Sequence, residues 1–162
     1  MRRPDTPARR NGRAENNPKG NTMDALYTAE ALATGAGRNG HVTTTSRNVD
    51  LDLAVPVAMG GSGNGANPEE LFAAGYAACF HSALQSVARA QKIAVTGSSV
   101  GSQVHIFPNG EGGFVLGVDL EVILPELDHD QAQALADAAH KVCPYSNATR
   151  GNIVVNITVS DD

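Results

Sequence analysis

The longest apolar run in the chain, Leu71 to Phe80, contains no charged side chain, and it sits inside a stretch patterned as a helix from Asn67 to about Lys92. Asn67 suits the N-cap, Pro68 the first helical position, and Glu69 and Glu70 complement the positive end of the helix dipole. An all-round apolar helix is predicted to be buried. His81, Ser82 and Gln85 interrupt it too soon for a membrane span, which needs about 20 apolar residues. Before it, residues 25–34, 41–46 and 48–55 alternate or are rich in β-branched residues and read as three strands, although the Ala and Leu residues of 25–34 also allow a helix. The first two are joined by the glycine-rich turn Gly35 to Gly40. After it, 100–107 and 114–124 read as two strands around the turn Pro108 to Gly113. Asp128 or Asp130 caps a second helix that runs to Val142, Tyr145 to Gly151 is a polar turn or short helix, and 153–159 is a last strand. The order β-β-β-α-β-β-α-β predicts an α+β fold, a mostly antiparallel sheet packed with two long helices.

Charge divides the chain. Residues 1–22 carry six Arg/Lys and two acidic residues, and none of Leu, Ile, Val or Phe, within a chain of net charge −5. Such a segment cannot bury enough apolar surface to order itself, so 1–22 is expected to be a disordered basic tail. Residues 23–162 are expected to form one domain, with Met23 as a candidate working start. The acidic balance of that domain argues against nucleic acid as a partner. No signal peptide or membrane segment is visible, which points to the cytoplasm.

In that compartment a pair of thiols is more often catalytic, redox-active or metal-binding than structural. The two cysteines are Cys79, in the middle of the apolar helix, and Cys143, where the second helix stops before Pro144. Burial raises a thiol pKa, so a reactive Cys79 requires a nearby cation. Arg38, in its glycine-flanked turn, and Arg150, close behind Cys143, are both candidates, and the residues alone do not choose between them. Cys79, His81, His140 and Cys143 contain the donor types of a zinc set, but positions i and i+2 of a helix point about 200° apart, which opposes chelation by Cys79 and His81. Glu69 serves either as a first-turn acid or as a carboxylate that orients an arginine.

The stretches Asn67-Pro-Glu-Glu-Leu-Phe-Ala-Ala-Gly-Tyr-Ala-Ala-Cys-Phe and Val142-Cys-Pro-Tyr-Ser-Asn-Ala-Thr-Arg-Gly-Asn-Ile, with Gly37-Arg-Asn-Gly-His and Met59-Gly-Gly-Ser-Gly-Asn-Gly, resemble the organic hydroperoxide resistance proteins of the OsmC-like superfamily. The resemblance covers residues 25–159. It implies an OsmC-like fold, an intertwined homodimer with two interfacial sites, and a thiol-dependent peroxidase acting on alkyl or fatty-acyl hydroperoxides. It places Cys79 on the peroxidatic cysteine, Cys143 on the resolving cysteine, Arg38 on the activating arginine and Glu69 on its carboxylate partner. It implies no bound cofactor and an external dithiol reductant, the dihydrolipoyl group of a lipoylated protein. An apolar substrate wall is expected from Leu71, Phe72, Tyr76 and Phe80. The rival readings are a non-enzymatic redox sensor with the same thiols and a binding protein whose cysteines are inert.

Overall fold

In a computed structural model the chain is described from residue 24 to residue 160, so the basic tail 1–22 and the candidate start Met23 lie outside the described residues. The apolar run forms helix α1, Pro68–Gln91, as its pattern predicts. The start is fixed by a reciprocal capping box. The Asn67 side chain accepts from the Glu70 amide at 3.0 Å, and the Glu70 carboxylate accepts from the Asn67 amide at 3.2 Å. At the other end Lys92 turns the chain out of the helix in the left-handed conformation.

Strands β1 (Ala31–Thr34), β2 (His41–Thr44) and β3 (Asp50–Asp52) form one antiparallel sheet ahead of α1. The first is shorter than the alternation of residues 25–34 predicts. β2 ends at Thr44 because the chain turns through Arg47 at positive φ, so past the bond from the Thr45 amide to the Glu30 carbonyl at 3.0 Å, residues 25–29 have no strand to pair along. Between β1 and β2, Gly37–Asn39 forms one 3₁₀ turn. His41 on β2 lies between two carboxylates of β3, with Nδ1 2.8 Å from Asp52 and Nε2 2.7 Å from Asp50.

After α1, β4 (Ser99–Pro108) and β5 (Phe114–Ile123) pair antiparallel. The chain then crosses back through α2 (His129–Val142) and the short α3 (Pro144–Thr149). It enters β6 (Val154–Ser160) parallel to β5. The architecture is α+β and mostly antiparallel, but the strands form two three-stranded sheets, not one. The core lies between the second sheet and the helices. Tyr76, Phe80 and Leu84 of α1 and Leu135 of α2 are packed there against Val118, Leu120 and Val122 of β5.

The expectation that α1 is buried all round is corrected. Within one chain Ala74, Ala78, Ser82 and Gln85 are exposed along one face, because the second sheet, α2 and α3 do not cover every side of a helix with more than two apolar sides. No described helix is long and apolar enough to cross a membrane.

Candidate active site

Both cysteines are free, and their sulfurs lie 3.7 Å apart, 64 residues apart in sequence. The local fold accounts for this meeting. Cys143 follows the last residue of α2 and caps α3, with extended backbone (φ −63°, ψ 125°). Pro144 enforces that break, since it disfavours helical geometry in the residue before it and has no amide to lose at the first helical position. α3 then packs on α1 at Gly75. A side chain there would meet the Tyr145 hydroxyl, which lies 2.9 Å from where a β-carbon would stand. Phe72, Tyr76 and Tyr145 stack around this crossing with ring centroids 5.6–6.0 Å apart.

Cys143 is fully buried, whereas Cys79 is half-buried and opens into a cleft of about 320 Å³ lined by Ser82, Ala83, Ser86, Val142 and Pro144. This corrects the expected substrate wall. Tyr76 and Phe80 are at 0% exposure in the core, and none of Leu71, Phe72, Tyr76 and Phe80 lines the cleft. The helix face that carries these aromatic rings is the one turned to the sheet. Burial pushes the Cys79 thiol up; a hydrogen bond from the Tyr145 amide works against that, and the Cys143 thiol adds to it. Among the described residues no cation contributes to this balance.

The cation expected at the thiol is held elsewhere in the chain. Arg38 makes a two-pronged pair with Glu69, with Nη1 to Oε2 at 2.8 Å and Nη2 to Oε1 at 2.6 Å. The fork-to-fork geometry keeps the Glu69 carboxylate below its ordinary range and raises the guanidinium further. The 3₁₀ turn presents Arg38, and the first turn of α1 presents Glu69, so the pair ties the first sheet to the head of the helix. Of the two roles the sequence leaves to Glu69, holding an arginine is the one observed, while Glu70 completes the cap. Arg150 bonds Asn147 Oδ1 at 2.8 Å and the His140 carbonyl, not a thiol. Ten residues of unbroken helix separate Glu69 from Cys79, about 15 Å along the axis.

The structure therefore brings Cys79 to Cys143 and Arg38 to Glu69, but leaves the two pairs apart within one chain. The histidines of the weighed zinc set are engaged otherwise, His81 with Ser98 Oγ at 3.0 Å and His140 with Ser146 Oγ at 2.9 Å. Sequence reasoning missed Ser146 and Thr149, both buried beside Tyr76. The available signal was the hydroxyl of Tyr76 itself, because a phenol inside an apolar run needs a buried partner.

Comparison with known proteins places the chain in a family. Residues 61–158 match the family model described as OsmC-like protein. The organic hydroperoxide resistance protein of Xanthomonas axonopodis pv. citri (strain 306) is 48% identical over 139 residues, covering 83% of this chain and 95% of that protein. The organic hydroperoxide resistance protein OhrB of Bacillus subtilis (strain 168) is 47% identical over 134 residues, covering 82% and 97%. Among solved structures, an organic hydroperoxide resistance protein from Legionella pneumophila superposes with a TM-score of 0.81 at 52% identity, covering 85% of this chain and 99% of that one.

Proposed function

Since the chain belongs to the organic hydroperoxide resistance proteins of the OsmC-like family, we propose that it is a thiol-dependent peroxidase that reduces organic hydroperoxides to alcohols. The observation that carries this reading is the pair of free thiols 3.7 Å apart, one open to a cleft and one sealed behind it. The Cys79 thiolate attacks the outer peroxide oxygen. The O–O bond breaks, the alkoxide leaves and takes up a proton as the alcohol, and Cys79 becomes a sulfenic acid. Cys143 then attacks the sulfenic sulfur. The S–S bond forms, the S–O bond breaks, and water leaves with the Cys143 proton, which protects Cys79 from irreversible oxidation. An external dithiol, the dihydrolipoyl group of a lipoylated protein, reopens the bridge by thiol–disulfide exchange and leaves as its own disulfide.

The thiolate requires a cation that the described residues of one chain do not place at Cys79. We assign it to a second copy. In a two-fold dimer with antiparallel α1 helices, the Arg38–Glu69 pair of one protomer stands beside Cys79 of the other, and symmetry makes both sites. Three features support this assembly: the exposed stripe Ala74, Ala78 and Ser82, a groove of about 460 Å³ lined by Phe72, Phe114, Val115, Leu116 and Ile153, and a first sheet whose Leu32 and Leu51 stand exposed.

The test is thiol titration before and after one equivalent of cumene hydroperoxide, followed by steady-state consumption with dihydrolipoamide. Loss of both thiols and sustained turnover are expected. Cys79→Ser should consume no peroxide, and Cys143→Ser should reduce one equivalent and hold Cys79 as a sulfenic acid. Unreactive thiols would reduce the protein to a binding module, and a reaction that stops at one equivalent with dithiol in excess would make it a sensor.

A further inference from the structure

A chain of hydroxyls crosses the buried junction where α1, α2 and α3 meet, and the thiol chemistry above does not use it. The Tyr76 hydroxyl lies 3.0 Å from Ser146 Oγ and 3.1 Å from Thr149 Oγ1. Ser146 Oγ lies 2.9 Å from His140 Nδ1, and Thr149 Oγ1 lies 2.9 Å from the Tyr145 carbonyl. Tyr76 and Ser146 are at 0% exposure and Thr149 at 6%.

The proton order along this chain has one solution. A carbonyl only accepts, so the hydroxyl of Thr149 donates to Tyr145. Thr149 must then accept from Tyr76, Tyr76 from Ser146, and Ser146 from His140. Four hydrogens serve four bonds, and His140 is fixed with its proton on Nδ1. Burial, with Arg150 close by, pushes the imidazolium down, which leaves His140 neutral near pH 7.

The placement of the chain is as specific as its order. Tyr76 stands three residues before Cys79 on α1, His140 three before Cys143 on α2, and Ser146 three after Cys143 on α3. The two links from Tyr76 thus join the helix of Cys79 to α3, and the His140–Ser146 link joins α2 to α3 across Cys143. From 3.7 Å the sulfurs must close to about 2.05 Å to bond, a movement that a loose junction would make rare and this one holds near its start.

We propose that His140, Ser146, Tyr76 and Thr149 are positioning residues that clamp the three helices and thereby set the rate and equilibrium of Cys79–Cys143 disulfide formation. The proposal deepens the peroxidase reading and rests on it for the rate. The equilibrium is measured without hydroperoxide. Thr149→Val and Tyr76→Phe remove one hydroxyl each at nearly constant volume.

In single turnover, each variant is expected to form the disulfide from the sulfenic acid about tenfold more slowly. The preceding oxidation of Cys79 should stay within about twofold in Thr149→Val, and Thr149→Ser, which keeps the hydroxyl, should restore the rate. In dithiothreitol redox buffers the disulfide of both variants should be about tenfold easier to reduce, about 30 mV. The ¹⁵N signals of His140 should show a protonated Nδ1 and a bare Nε2. Tyr76→Phe breaks the links to Ser146 and Thr149, and Thr149→Val those to Tyr76 and the Tyr145 carbonyl, so both open the chain at the Tyr76–Thr149 link and either one alone decides. Unchanged disulfide equilibria would overturn the clamp, as would equal slowing of both chemical steps or a proton on Nε2. If wild-type Cys79 ignores hydroperoxides but the equilibrium shifts as stated, the peroxidase reading has failed and the clamp stands.

Discussion

The two halves of this chain are built to different standards of completeness. From α1 to β6 the protein encloses its own core, and the two thiols meet inside it on elements locked by a capping box, a proline break and a glycine crossing. From β1 to β3 no strand residue is buried, and the sheet is joined to the rest chiefly by the Arg38–Glu69 pair and by backbone bonds from residues 52 and 54 to Ala66. One half holds the sulfur, with no described cation set against it. The other holds a fully oriented cation with no sulfur to act on. An arginine already bound in two-pronged fashion to a carboxylate is pre-ordered for use, which is a costly arrangement to leave idle on a weakly attached sheet. The contrast is what a site divided between two chains looks like when one chain is seen alone.

The largest expected effect follows from that division. Removing a single preorganised charge from a reacting centre costs about 10²–10³-fold in rate. Arg38→Ala and Glu69→Ala should each slow Cys79 oxidation by about 10²-fold, while Arg150→Ala, whose guanidinium only braces α3, should change it by about twofold or less. A heterodimer of a Cys79→Ser chain with a Glu69→Ala chain then decides where the pair works. In the divided arrangement one site carries both lesions and the other is intact, so activity returns to about half of wild type per dimer. No rescue would mean that both pairs serve the same chain.

A second effect concerns attachment. If the first sheet is completed by a second copy, amides of β1–β3 should be protected from hydrogen exchange at high protein concentration and lose protection on dilution, whereas β4–β6 should not respond. Equal behaviour of the two sheets would contradict the contrast drawn above.

What the sequence made legible follows the same line. α1 was readable to within a residue because its cap, its proline and its first-turn acids are all local signals, and the α2 stop was readable from Pro144. The Arg38–Glu69 pair spans 31 residues and depends on how the Gly37–Asn39 turn lands on the helix, so spacing could not reveal it. The substrate wall was misread because Tyr76 and Phe80 are spent in the core at 0% exposure and do not reach the cleft at Cys79. The short β1 was misread because alternation reports what a segment tolerates, while pairing depends on where the partner strand ends. The hydroxyl chain was hidden because its members come from three helices, and the one signal, the Tyr76 phenol inside an apolar run, does not name its partners.

A third effect is set by acid. Arg38 holds the Glu69 carboxylate below its ordinary range, so the contribution of this pair is present above the unfolded carboxylate pKa, about 4.3, and is lost as the pH falls through the lower folded value. The first sheet should therefore detach from α1 in acid before α1 and the second sheet unfold. Circular dichroism that reports one concerted acid transition, with β1–β3 and α1 lost together, would argue against this.

The smallest expected effect runs in the opposite direction and lies within the first sheet. His41 contacts Asp52 and Asp50 through its two ring nitrogens, and both can donate only when the ring is charged. The hydrogen bond to Asp52 raises its pKa most, followed by that to Asp50. A raised histidine pKa contributes stability that is complete below the unfolded value, about 6.5, and is lost as the pH rises through the folded value. The tie of β2 to β3 thus weakens on the alkaline side, where the tie of the sheet to α1 is intact, and both hold together only in the interval between. A proton NMR titration of His41 should give a midpoint above 6.5. Asp52→Asn should lower it more than Asp50→Asn, since Asp50 is also engaged by Arg47 at 2.6 Å and gives up part of its charge there. A midpoint at or below 6.5 in the wild type would show that the two carboxylates do not hold the ring charged, and the pH-dependent ties of the first sheet would then be the carboxylate pairs Arg38–Glu69 and Arg47–Asp50.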